Sequence, residues 1–99
     1  MRATVTKEQE LMHFLDQHVF SPVLNSPRAS KELKSGINLT IARMNQRDAT
    51  GMVRYFWSAI TGTERSIGFA NRMRQEGFTR FEEVLEEFRV RFDDAWLRL

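Results

Sequence analysis

DATGMVRYFWSAIT, from Asp48 to Thr61, has eight apolar residues in fourteen. On a helical wheel of ~100° per residue, Met52, Tyr55, Phe56, Ala59, Ile60, Val53 and Trp57 spread over an arc of roughly 200°. Arg54, Ser58 and Thr61 group on the other side. An ordinary surface helix shows an apolar stripe of about 100° upward. The wider arc needs neighbours on two or three sides, so this segment is expected as the central helix of an all-α fold. Asp48 is placed to cap its start. Gly62 ends it by taking left-handed backbone, and Thr63 caps the next helix.

Four more helices are expected around it. Upstream, Thr6-Lys7-Glu8-Gln9 has the spacing of a capping box. Leu11, Leu15 and Val19 come after it at helical steps, and the helix is expected to stop by Ser21 because Pro22 disfavours the α region before it. Phe20 falls off that stripe. Ser26 and Pro27 read as the cap and first residue of a second helix reaching about Gln46. Its stripe is Leu33, Ile37, Ile41 and Met44, and Leu39 lies outside it.

Downstream, residues 64–76 read as a short helix closed by Gly77. The last begins at a Thr79 cap with Glu82 as the capping-box residue. Phe81, Val84, Leu85, Phe88, Phe92, Trp96 and Leu99 then fill an arc of roughly 120°. The fold class is therefore all-α: a compact five-helix single domain over residues 1–99, with helix three (about 49–61) central and a long amphipathic C-terminal helix (about 80–98). The methionines Met12, Met44, Met52 and Met73 read as core filler.

Composition narrows the class. The chain has 99 residues, 41% of them apolar and 28% charged, and no cysteine. That excludes disulfides, thiolate catalysis and cysteine-held metals. The N-terminal segment turns charged before an apolar run develops, and no stretch approaches the ~20 apolar residues of a membrane span. A cytoplasmic protein without a membrane association is expected.

The net charge of +2 is unevenly distributed. Residues 28–80 carry ten Lys or Arg against Glu32, Asp48, Glu64 and Glu76. Residues 81–99 carry Arg89, Arg91 and Arg98 against six acids. A basic middle and an acidic end can attract each other within one fold or between two copies.

No catalytic constellation is visible. The two histidines, His13 and His18, are too few for a metal centre built on Glu-x-x-His pairs, although Glu10 and His13 have that spacing. His13 reads as a surface residue and His18 as a half-buried one. Glu82, Glu83, Glu86 and Glu87 read as a solvated helix face. No phosphate loop, nucleophile elbow or dinucleotide fingerprint occurs. Neither an enzyme, nor a cofactor, nor a metal is expected.

Surfaces carry the functional expectations. The favoured one is a non-enzymatic protein–protein interaction module, a homodimer or a domain docking to a larger protein. Val90 and Leu97, seven residues apart on the outer side of the last helix, form its apolar centre, with Glu86 and Asp94 beside them. The alternative is nucleic-acid binding through a helix–turn–helix made by helices three and four, using Arg43, Arg47, Arg65, Arg72 and Arg74. Against it, Gly68 and Thr61 stand where that motif wants apolar residues. A third reading is a small-ligand pocket formed by Arg54, Tyr55 and Trp57, arginine beside aromatic faces.

Overall fold

The computed structural model describes residues 5–63, 66–67, 69–78 and 80–99. Among the described residues six helices enclose one core, and the all-α expectation holds with one helix more than five. The radius of gyration is 13.7 Å, close to the value of about 13 Å for a compact chain of this length.

Helix α1 is continuous from 7 to 24 and has three parts: Lys7–Leu15, a π-helical turn Asp16–Phe20, and Ser21–Leu24. The capping box forms as expected: the Thr6 hydroxyl accepts from the Gln9 N–H, and the Gln9 side chain accepts from the Thr6 N–H. The expected stop before Pro22 does not occur. Ser21 is α-helical, with φ −62° and ψ −44°, and its N–H donates to the Asp16 carbonyl five residues back. A proline inside a regular helix lacks a donor and clashes with the carbonyl four residues earlier. The wider π turn just before Pro22 absorbs that clash. Its extra residue also rotates the helix face. Phe20 comes round into the core, where it is 1% exposed, and His18 turns out to solvent rather than staying half-buried.

Helix α2 spans Lys31–Met44, four residues later than expected. Its cap is Ser30, not Ser26: the Ser30 hydroxyl accepts from the Leu33 N–H at 3.1 Å. Ser26 instead closes a turn, accepting from the Arg28 N–H at 3.2 Å. Glu76 reaches across to receive the Ser30 N–H at 2.6 Å and the Ser30 hydroxyl at 2.8 Å. That carboxylate ties the turn before α2 to the end of α4, Phe69–Gln75.

Helix α3, Ala49–Thr61, is the expected central element. Asp48 caps it through the Gly51 N–H at 2.9 Å, and Gly62 ends it at φ 80°. It packs against α1, α2 and α4. The Glu8 carboxylate of α1 accepts from the Ala49 N–H at 2.8 Å, so a second side chain satisfies the α3 N-terminus.

Gly62–Thr63 then pairs antiparallel with Ser66–Ile67, two residues a side. Helix α4 spans Phe69–Gln75, shorter than expected. It closes with Gly77 at φ 90°, where Phe78 N–H donates to Met73 and Gly77 N–H to Arg74. That is the Schellman pattern of a helix end.

The long C-terminal helix is in fact two helices. Helix α5 runs Phe81–Arg91, with Arg80 rather than Thr79 at the N-cap position and no side-chain cap bond; Thr79 lies outside the described residues. Phe92 leaves the helix at φ −112° and ψ 54°. Asp93 then caps α6, Asp94–Leu97, through the Trp96 N–H at 2.9 Å. A capping aspartate competes with helix continuation, because its side chain satisfies the N–H that the previous turn would otherwise bind. The Lys7 ammonium holds α6 from the other end of the chain, donating to the Leu97 and Leu99 carbonyls at 2.8 and 2.6 Å.

The core centres on Phe88, which is 0% exposed. Its ring lies 4.7 Å from Phe56, 5.0 Å from Phe92, 5.7 Å from Trp57 and 6.1 Å from Phe14. Phe56, Phe88 and Phe92 are buried as expected, whereas Trp57 is only half-buried.

Candidate interaction cleft

A cleft of about 650 Å³ opens where the π turn of α1 faces the α4–α5 corner. That volume is in the range of functional pockets, ~300–1,000 Å³. Val23, Met73 and Phe81 are buried at its base, and Phe78 and Val84 are half-buried in its walls. Its rim is ionic and exposed: His18 from the π turn, Arg28 from the turn before α2, and Arg80, Glu83 and Glu87 from α5.

Local chemistry positions each side. The π turn carries Gln17 and His18 outward; the His18 ring stacks on Phe14 at 4.6 Å. Such turns recur at functional sites in helices. The Glu76–Ser30 bonds fix the turn that bears Arg28, and its guanidinium covers the Phe78 ring at 5.7 Å. A Cβ on Gly77 would come within 3.2 Å of the Arg28 Nη1, and Gly77 has φ 90°, so this corner suits glycine on two counts. Arg80, Glu83, Val84 and Glu87 share one flank of α5 by their spacing.

The predicted partner patch is not assembled as expected. Val90 is indeed exposed, at 62%. Leu97 is half-buried on α6, and the break at Phe92–Asp93 takes it off the α5 face that carries Val90. Glu86 is exposed and bonded to Arg89, whose guanidinium holds its carboxyl below the usual carboxylate range. Asp94 is exposed as the first residue of α6. Leu39 is exposed, as expected.

The helix–turn–helix geometry is also different. Seven residues, 62–68, separate α3 from α4, and they include the short antiparallel pairing rather than a tight turn. Arg74 is held by Glu82 at 2.6 Å, Arg72 is half-buried, and Arg65 lies outside the described residues. Arg43 and Arg47 are exposed, but Arg47 stacks over Tyr55 at 4.8 Å.

Arg54, Tyr55 and Trp57 do not converge. Arg54 is exposed, Tyr55 lies under Arg47, and Trp57 packs edge-on against Phe56 and Phe88. None of the three lines the cleft.

Sequence reasoning missed the cleft because three separate segments build it. One signal was available: Pro22 comes after an unbroken helical pattern, which is compatible with a helix that absorbs the proline. Among the described residues, no three His, Asp or Glu side chains group as metal ligands would, and no helix is long and apolar enough to cross a membrane. Compared with known proteins, the chain matches no family model, no curated protein and no solved structure.

Proposed function

We propose that this protein is a non-enzymatic helical interaction module that receives a protein surface in the α1–α4–α5 cleft. One observation carries the reading: the cleft has an apolar base, while its ionic groups stand on an exposed rim. Interfaces between proteins have that anatomy, an apolar centre inside a polar border. Small-molecule sites instead enclose their ligand and aim a few polar groups at it. Here Arg28, Arg80, Glu83 and Glu87 enter no ion pair among the described residues, and so are available to an incoming surface. The absence of cysteine suits a reducing cytoplasm.

Site-specific photo-crosslinking in cells tests this. A photoreactive residue replacing Gln17, in the cleft, is expected to give a protein adduct of one discrete mass. The same residue replacing Ser35, exposed on α2, is expected to give none. Equal adducts at both positions, or none at Gln17, would remove the reading.

A further inference from the structure

We propose that the cleft's occupant is a second copy of this chain, related by a two-fold axis, with the two α5 helices antiparallel. The proposal rests on the cleft reading above and names its partner.

The ridge of α5 carries the argument. Arg80, Glu83, Glu87 and Val90 succeed one another at steps of three, four and three residues, which aligns them on one face. All four are exposed, and Val90 is the most exposed apolar side chain of α5, at 62%. Neighbouring charges on the flank are already engaged: Glu82 by Arg74 and Glu86 by Arg89. The ridge charges, Arg80, Glu83 and Glu87, have no such partner among the described residues.

Their order selects the geometry. The ridge is positive at its start and negative along its middle. Parallel apposition of two copies sets like charges against each other. An antiparallel pair with its axis midway between Arg80 and Glu87 sets each arginine against the glutamate of the other copy. A two-fold interface needs such a self-complementary patch, in which each residue meets its counterpart reciprocally.

The same register has a second consequence. Position 90 of one copy then projects past the start of α5 of the other, toward the turn of Gly77 and Phe78. Gly77 has no side chain, is exposed, and borders the half-buried Phe78 at the cleft. The one apolar side chain that projects from the ridge therefore meets the corner where the Arg28 guanidinium covers the Phe78 ring. Near the axis Glu83 stands beside its own counterpart, a like-charge contact that the two reciprocal Arg80–Glu87 pairs must outweigh.

Charge-swapped variants test the register. Wild type at tens of micromolar is expected to sediment as a dimer. Arg80→Glu alone and Glu87→Arg alone should each weaken association by about tenfold or more, because each sets like charges together twice. An equimolar mixture of the two should recover the dimer, since both pairs are then opposite in sign. Val90→Lys should weaken association as well, because it brings a second cation to the Arg28 corner. Arg80→Glu places a carboxylate at a helix N-terminus, where the helix dipole favours it, and Val90 and Glu87 are exposed, so circular dichroism should show all variants folded. A monomeric wild type, or a dimer indifferent to both charge reversals, or a mixture that stays monomeric, would overturn this pairing. With a Gln17 adduct to a different protein, such a result leaves the cleft as an interaction site and removes only the second copy. With no Gln17 adduct, both fall.

Discussion

Phe88→Ala is the perturbation that probes the packing most sharply. Phe88 contacts rings from three directions: Phe14 of α1, Phe56 and Trp57 of α3, and Phe92 at the end of α5. Truncating a buried phenylalanine costs about 3–5 kcal/mol, the spread reflecting how far the site can collapse. Here the cavity walls are rings on different helices, each stacked on others, which limits collapse. Aromatic pairs also contribute ~0.5–1.5 kcal/mol each beyond their buried area. The loss belongs near the top of the range. Domains have a total stability of about 5–15 kcal/mol, so this single change removes a third or more of it. With ~4–8 °C per kcal/mol for a domain of this size, the thermal midpoint should fall by roughly 20–40 °C. Far-UV circular dichroism during heating and in urea reads this directly. Val90→Ala, on the exposed face of α5, should stay within about 0.5 kcal/mol of wild type. Equal shifts for the two variants would refute the placement of Phe88 at the centre of the core.

Three smaller predictions probe the joints between helices. Glu8→Ala leaves the Ala49 N–H without its acceptor and should cost about 1–3 kcal/mol by urea denaturation, with Glu8→Gln milder. Lys7→Met removes the donor to the Leu97 and Leu99 carbonyls, so amide exchange in α6 should accelerate while α3 amides keep their protection. Hydrogen bonding from Arg89 depresses the Glu86 carboxyl, so the pair helps the folded state above the ordinary carboxylate range, and that help fades as pH falls through the depressed value. A carboxyl NMR titration should place Glu86 below its ordinary range, and Arg89→Ala should return it there.

The elements most legible in the sequence are those whose boundary signals are local. Asp48 and Gly62 bracket α3 because a capping carboxylate and a left-handed glycine each act within one turn. Thr6 and Gln9 form the start of α1 in the same way. The apolar stripe of Phe81, Phe88 and Phe92 faces the core as its spacing implies. Features that depend on competition were harder to read. Pro22 stops a regular helix, but a π turn before it removes the clash, and nothing in the local pattern says which outcome wins. Phe92 and Trp96 keep helical spacing across the break at Asp93, so periodicity concealed it while the aspartate alone signalled a new cap. Ser26 with Pro27 resembled a helix start, yet Ser30 caps α2 because Glu76, distant in sequence, binds it there. The cleft depends on the first and last of these outcomes, the π turn and the Ser30 cap.

Amide hydrogen exchange at low and high protein concentration tests the central claim most directly, because it locates the contact as well as detecting it. Concentrating the protein is expected to slow exchange along α5, at the turn around Gly77 and Phe78, and in the π turn of α1, while the outer face of α2 stays unchanged. Exchange that is independent of concentration, or protection that appears on α2 instead, would contradict a self-association surface at this cleft.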